Sequence, residues 1–443
     1  MKRRVVLVDL YWGRSKDPRV PLGHASLLAA LRQEGQVEVC PLVAPVNDEG
    51  TTPARLVSQI LAMAGPRPPE TVDVAMGAYV WAEDLIQAVL SGLRRRGFAG
   101  RIILGGPQVS YTSEGLEALY PDADLFIRGY GEAALCEVTS TSGRGDVRGV
   151  HWAGQEDKNE QAQVSLEALP SPWLEGVIPL QGQRFVRWET QRGCPYRCSF
   201  CQHREAGSRL KHRTLDPARV MRELDLFCDV GVQDIAVLDP IFNVGPQATR
   251  ILERLVERGY KGKIALQCRA ETIKDDFLAA AEKLDAWLEF GLQTIHDNEG
   301  TAIERKNQVD KVDKTLAEVR RRGIKHEVSL IFGLPEQTLA SFEETVAWCL
   351  ERRVPVIKAF PLLLLRGTAL ERDAARWGLQ TSGGAMPMVV ESHTLTRPQW
   401  EEMTRLSEAL RQTEGRHPHT LAELRALARR ALPDYALWQS SAA

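Results

Sequence analysis

The 443-residue chain carries 56 Lys and Arg against 58 Asp and Glu, a formal net charge of −2. That balance provides no electrostatic footprint for nucleic acid or a lipid surface, so neither is expected as a partner. With 44% hydrophobic and 26% charged residues the composition is that of a globular protein, with room for about three domains.

The chain opens on "MKRRVVLVDL", where Asp9 interrupts a short apolar run. This reads as a first strand rather than a signal peptide. No stretch nears the ~20 apolar residues a membrane helix needs. Outside one cluster the cysteines lie scattered (Cys40, Cys136, Cys228, Cys268, Cys349). That usage suits a reducing, cytoplasmic setting better than a disulfide framework.

Strand and helix signals then alternate to about residue 140. "RRVVLVDL" reads as a buried strand and "LGHASLLAALRQEG" as an amphipathic helix closed by Gly35. A strand "VEVCPLV", a helix over Pro53–Ala64, a strand "VDVAMGAY" and a helix over Ala82–Arg96 follow. Next come the strand "RIILGG", a short helix near Ser113–Leu119, the strand "ADLFIRG" and a helix from Glu132. Repeated β-then-α units with nearly continuous apolar strands predict a parallel sheet covered on both faces. Open sheets of this kind bind ligands beyond the carboxyl ends of their strands. The loops there are "LYWGRSKDPRVPLG", "GAYVWAED", "GGPQVSYTSEG" and "RGYGE".

Residues 141–181 are polar and without periodicity, and are expected to be a linker. A second β-α series begins at "RFVRWETQRG". Its further strands are "DIAVLDP", "KIALQCRAE", "AWLEFGLQ", "HEVSLIFGLP" and "VPVIKAFPLLLLRG", with helices between them. This predicts a partial (β/α)6 barrel over 182–370, short of the full eight units. The tail, 371–443, turns helical and polar, with a helix start at Thr396 and Pro398. It reads as a small, mostly helical substrate-side region that includes Met386, Met388, His393 and Trp400, residues equally suited to a core.

Cys194-x3-Cys198-x2-Cys201 follows directly on the first barrel strand, in a loop that also holds Gly193 and Pro195. Thiolates this close can share one metal centre. A structural zinc site usually draws its fourth ligand from a second CxxC or HxxxH, which the chain lacks, although His203 is near enough to complete a set. A three-thiolate iron–sulfur cluster explains the loop equally well and leaves one iron open.

CxxxCxxC after the first strand of a partial barrel resembles the radical S-adenosylmethionine (SAM) superfamily. The resemblance implies a [4Fe–4S] cluster on Cys194, Cys198 and Cys201, with SAM on the open iron and Phe200 against its adenine. "IAVLDPIFN" resembles the second-strand segment and nominates Asp239. "LQCRAETI" resembles the third and nominates Arg269 and Glu271. "FGLQT" resembles a fourth-strand motif, with Gln293 where Glu is common. "SLIFGLPEQT" resembles the fifth-strand Gly-Leu-Pro turn and nominates Ser329, Gly333 and Leu334, with Glu336 in place of the usual Gly. "PLLLLRGTAL" resembles the sixth-strand segment, with Arg366 in place of the more usual Pro. On the residues alone, Asp239 equally suits a helix cap, and Arg269 with Glu271 an ordinary ion pair.

Residues 1–140 resemble the doubly wound, Rossmann-like cobalamin-binding domain that precedes the barrel in a large radical SAM subgroup. The motifs are "PLGHASLLAALRQEG", "GAYVWAEDL", "ILGGPQVS" and "IRGYGEAAL". They nominate Leu22, Gly23, Tyr79, Val80, Trp81, Gly105, Gly106, Gln108, Gly129, Tyr130 and Glu132 as cobalamin-binding, with Tyr79–Trp81 below the cobalt. No Asp-x-His-x-x-Gly signature supplies a lower axial histidine. His24 suits a packing role, Tyr79–Trp81 an aromatic core, and Gly105–Gly106 a tight strand-to-helix turn.

The resemblance implies a C-methyltransferase acting on an unactivated carbon of a natural product or small metabolite, through a 5′-deoxyadenosyl radical and methylcobalamin. It also implies an external electron donor such as flavodoxin or ferredoxin. The alternative is ring contraction, cyclisation or 3-amino-3-carboxypropyl transfer on the same architecture, with or without cobalamin. A non-catalytic metal-binding scaffold fits the run of barrel motifs poorly.

Overall fold

The structure is a computed structural model that describes residues 2–14, 20–141, 143–203, 213–384 and 386–429. It divides into two compact units, one reaching to Gln183 and one beginning at Arg184.

In the first unit β1 (Arg4–Tyr11), β2 (Glu38–Pro45), β3 (Val72–Gly77), β4 (Arg101–Gly105), β5 (Leu125–Ile127) and β6 (Val150–Trp152) form one sheet in the order β2-β1-β3-β4-β5-β6. All neighbours run parallel except β6, which pairs antiparallel with β5. The helices are α1 (Leu22–Glu34), α2 (Pro53–Ala64), α3 (Glu83–Arg95) and α4 (Gly131–Ser140). α1 packs against α4 and α2 against α3, so both sheet faces are covered. That is why Val5, Val6, Val74, Ile102 and Leu104 are buried on successive strand positions without alternation. Each such side chain contributes about 1.5–3 kcal/mol by leaving water.

The stretch 141–181 is not a bare linker. β6 extends the sheet, Ala162 bridges to Gly129, and Trp152, Leu166, Trp173 and Ile178 are buried. Arg128, 1% exposed, reaches Asp157 at 2.5 Å. The apolar anchors are single residues in a polar run, so they generate neither strand nor helix periodicity.

In the second unit β7 (Phe185–Trp188), β8 (Asp234–Val237), β9 (Lys263–Cys268), β10 (Asp285–Gln293), β11 (Lys325–Phe332) and β12 (Ile357–Pro361) pair in chain order, all parallel. The intervening helices are α5 (Pro217–Asp229), α6 (Ala248–Glu257), α7 (Asp275–Ala281), α8 (Val309–Arg321) and α9 (Leu339–Glu351). Strand β10 alternates buried and half-buried residues. The buried set (Ala286, Leu288, Phe290, Leu292) marks the helix-covered side. Sequential parallel pairing with helices as crossovers is the partial barrel expected from the sequence.

The tail is not helical throughout. β13 (Gln380–Thr381) and β14 (Val389–Glu391) form a small antiparallel hairpin before α10 (Arg397–Gln412) and α11 (Leu421–Ala428). The Ser407 hydroxyl donates to Ala359 O (2.6 Å), and Ile357 N–H donates to His417 Nε2 (2.9 Å). Both contacts satisfy backbone groups of β12, the edge strand, which otherwise offers unpaired groups for aggregation. Met386, Met388 and Trp400 are core residues here, and His393 is exposed. No helix among the described residues is long and apolar enough to cross a membrane.

Candidate functional site

The cysteine loop of the second unit is anchored at its root by a buried carboxylate. Asp239, fully buried just beyond β8, accepts from Thr190 N (2.8 Å), Thr190 Oγ1 (2.5 Å) and Gln191 N (3.2 Å). Burial pushes its carboxyl up to about 7, against the pull of these hydrogen bonds. Gln191 and Arg192 then pair with Thr214 and Arg213, and Gly193 turns the chain at φ 84°. That left-handed turn favours a residue without a Cβ. Asp239, nominated above as a SAM contact, is thus committed to holding the loop.

Cys194, Cys198 and Cys201 are free thiols, Cys198 buried and the other two half-buried. Cys201 N–H donates to Cys198 O (3.1 Å), and His203 N–H donates to Cys201 Sγ (3.4 Å). Burial pushes the Cys201 thiol up to about 12, and charge on Cys198 and Cys194 adds to the rise. The imidazole of His203, the zinc-completing option, is exposed. Among the described residues no group of three or more His, Cys, Asp and Glu is closed up into a ligand set. The fit of a cluster therefore rests on donor chemistry: three free, mutually coupled thiols in one loop, with cationic groups beside them.

Two guanidinium groups supply that charge. Arg269 stacks on Tyr196 of the loop at 4.0 Å, pairs with Glu271 (3.3 Å) and donates to Lys306 O (2.9 Å). Its backbone is held by Asn243 from both sides (2.9 and 3.0 Å). Arg305 donates from Nη1 to Cys198 Sγ (3.6 Å) and from Nη2 to Gly291 O. Around them, Ser199 Oγ, Gln293 Oε1, Glu299 Oε1, Arg305 Nε and Asn307 Oδ1 are buried without a partner among the described residues. Buried polar atoms are nearly always satisfied, so a concentration of orphans beside one loop marks a place for a polar ligand.

Backbone irregularity sits at the same place. Between Gly291 and Gln293 the register of β10 against β11 shifts, and Gln293 takes φ 68°. Ser329 lies across from Gly291 on β11. Phe200 packs against an apolar cluster of Ile303, Leu334, Leu362, Leu370 and Val389. The Gly333–Leu334 turn is held by Gln337 Oε1, which accepts from both backbone N–H groups (2.8 and 3.3 Å). Gln337 also donates to Glu299 Oε2 (3.3 Å). Glu336, where the family pattern has glycine, keeps the left-handed turn at φ 64°.

The structure thus brings Cys194, Cys198, Cys201, Arg269, Glu271 and Gln293 to one polar region, and Phe200 with Leu334 to an adjoining apolar one. Arg305, Asn307 and Gln337 are absent from the sequence-based nominations. "ERKN" is a short polar run between elements, and nothing in its spacing marks it.

At the carboxyl edge of the first sheet, Tyr79 and Trp81 stack with ring centroids 4.7 Å apart and 9° between planes. The indole N–H of Trp81 donates to Leu10 O (3.1 Å), which ties the pair to β1. Leu22 and Val80 are half-buried and Gly23 exposed. A Cβ on Gly106, at φ 89°, would lie 2.8 Å from Ala78 O, and one on Gly129 2.7 Å from Ala162 O. These two glycines are explained by the chain's own close approach. Gly105 and Gly23 have more room, their nearest contacts lying at 3.4 Å. Gln108 is buried and donates to Glu83 Oε2 (2.5 Å), while Glu132 accepts from Ser26 (3.1 Å). Both side chains therefore serve the fold. Tyr130 is half-buried, and its N–H donates to Ala162 O (3.3 Å). His24 is buried in α1, where burial pushes its imidazole down to about 4, so it packs as a neutral ring.

Asp9, 6% exposed on β1, has its carboxyl pushed up to about 7 by burial. Its charge and that of Glu132 add to the burial that raises the Tyr79 hydroxyl. A folded-state value above the unfolded one contributes stability at low pH that is lost as pH rises through about 7. Asp9→Asn is therefore expected to be more stable than the wild type at pH 8, by about 2–4 kcal/mol, and the gap to close toward pH 4. Urea midpoints at pH 5 and pH 8 check this, and an equal gap at both values contradicts it.

The second unit is thus a parallel half-barrel with three free cysteines on the loop after its first strand. Residues 188–349 match the family described as "Radical SAM superfamily". The chain is similar to the "Cobalamin-dependent radical SAM methyltransferase TokK" of Streptomyces tokunonensis, 27% identical over 79% of this chain and 58% of the relative. It is also similar to the "2-(S-pantetheinyl)-carbapenam-3-carboxylate methyltransferase" of Streptantibioticus cattleyicolor, 25% identical over 79% of this chain and 57% of the relative. The chain thus spans less than three fifths of the length of these two curated relatives. Its fold matches that of the radical SAM methyltransferase TsrM from Kitasatospora setae, solved with cobalamin and a [4Fe–4S] cluster bound. That match has a TM-score of 0.67 and 17% identity, over 90% of this chain and 81% of that one.

Proposed function

We propose that the chain is a radical SAM enzyme that binds a [4Fe–4S] cluster, SAM and cobalamin, and methylates an unactivated carbon of a small natural-product molecule. The observation that carries this reading is the loop of free thiols on the Gly193 turn, with Arg305 donating to Cys198 Sγ. The names of the curated relatives support the methyl-transfer part. When bound, the cluster with SAM supplies a 5′-deoxyadenosyl radical and the corrinoid supplies a methyl group.

The chain's own residues bind and orient. Cys194, Cys198 and Cys201 are the cluster ligands. Arg269, Arg305, Gln293 and Asn307 offer donors and acceptors to the polar end of SAM, and Phe200 with Leu334 offers apolar surface to its adenine. Asp239 and Gln337 hold the two loops that carry these groups. In the first unit the flat Tyr79–Trp81 pair and the bare backbone at Gly105 suit a wide planar ring. An apolar face of this kind would exclude water from a ring held there.

Anaerobic reconstitution with iron, sulfide and hydroxocobalamin, followed by optical spectroscopy, tests the cofactor set. Retention of both cluster and corrinoid bands is expected, and a cluster without retained corrinoid rules out methyl transfer by this route. Isotope-labelled SAM with candidate natural-product precursors and a flavodoxin or ferredoxin as donor tests the reaction. Labelled methyl in the product supports the proposal, whereas 5′-deoxyadenosine with a rearranged, unmethylated product favours the ring-contraction or cyclisation alternative.

A further inference from the structure

Arg305 stands out among the cations of the second unit for what surrounds it. Among the described residues no carboxylate pairs with it, whereas Arg269 is balanced by Glu271 at 3.3 Å. Its Nη1 reaches Cys198 Sγ at 3.6 Å, a normal length for a hydrogen bond to sulfur, and its Nε is buried with no partner among the described residues. Cys198 is itself only 8% exposed, so water screens the contact little.

The guanidinium is also held in place. Arg305 N–H donates to Gly300 O (2.7 Å), and Nη2 donates to Gly291 O at the β10 irregularity. Two residues on, Asn307 donates to Leu292 O and Thr294 O, both at 2.7 Å. The charge is therefore fixed by its neighbours on both sides.

We infer that Arg305 sets the reduction potential of the cluster through its N–H···S bond to Cys198. The inference rests on the cluster reading proposed above. Reduction adds one electron to the cluster from the external donor, with no bond made or broken and no proton required. A fixed cation and a hydrogen bond to a ligand sulfur stabilise the more negative, reduced state and so raise the potential. Arg305 is in this sense a tuning residue beside the cluster, distinct from the ligands themselves.

The test is a potentiometric titration followed by electron paramagnetic resonance, on the full-length chain reconstituted with cluster and without SAM. Removal of the charge in Arg305→Gln is expected to disfavour reduction at least tenfold, a shift of 59 mV to more negative potential for a one-electron couple. Arg305→Lys, which keeps the charge but loses the planar donor, is expected to shift the same way by less. Arg269→Gln, whose charge is already paired, is expected to shift less than Arg305→Gln. An Arg305→Gln cluster with the wild-type midpoint overturns the inference and leaves the cluster reading intact. If Arg305→Gln takes up no cluster, the Arg305→Lys midpoint decides, and an unchanged value there overturns it. A wild-type chain that assembles no cluster refutes the underlying reading instead.

Discussion

Cys198→Ala is expected to fold and to take up no stable cluster, with 5′-deoxyadenosine formation falling to background. The side chain removed is small and buried, and its loss costs the fold about 1 kcal/mol. What it removes chemically is one of three thiols, and the one that receives the Arg305 hydrogen bond. Two remaining thiolates leave a cluster underligated. Cys349→Ala, in helix α9 and fully buried, is the control for loss of a thiol as such. It is expected to keep a wild-type cluster absorption. Iron content and the visible spectrum after identical reconstitution measure both, and a wild-type spectrum for Cys198→Ala refutes the ligand assignment.

The second large effect concerns a residue outside the cysteine loop. Asp239→Ala removes the acceptor for Thr190 N, Thr190 Oγ1 and Gln191 N at once, all in a buried place. Leaving two backbone donors and a hydroxyl unsatisfied there costs about 1–3 kcal/mol each, so a loss of at least about 3 kcal/mol is expected. The loop root then loosens, and cluster occupancy is expected to fall with it. Asp239→Asn separates the two roles of the carboxylate. Its amide oxygen still accepts from the backbone, and Thr190 can reverse its hydroxyl to accept from the new NH2 group. Because burial already pushes the Asp239 carboxyl up to about 7, the neutral form is near its natural state. The Asn variant is therefore expected to stay within about 1 kcal/mol of the wild type and to hold its cluster. Thermal melts and iron content of the two variants check this, and equal losses in both contradict the account.

Much of the fold was legible because burial imposes periodicity. Strands covered on both sides, such as Val5–Val8, require continuous apolar runs, and helices such as α2, which starts on Pro53, require one apolar stripe. The stretch 141–181 was not legible, since Trp152 and Trp173 are buried anchors set singly in a polar run. Glu336 shows the same limit at a single residue. A glycine pattern suggests a left-handed turn, yet only the backbone itself shows that Glu336 keeps it at φ 64°. Asp239 and Gln108 were nominated for ligands by the motifs "IAVLDPIFN" and "ILGGPQVS". Each instead satisfies protein groups, a choice that depends on donors from other segments.

The sequence by itself determined the three thiols and their spacing, because a loop of eight residues is a local object and its chemistry travels with it. It also determined the succession of β-α units that puts this loop after a strand. Only the tertiary structure decided which charge stands against the thiols. Arg305 stands 107 residues from Cys198 along the chain, and the parallel pairing of the strands between them closes that distance to a hydrogen bond. No periodicity carries such a contact, since it depends on where two strand ends arrive in space.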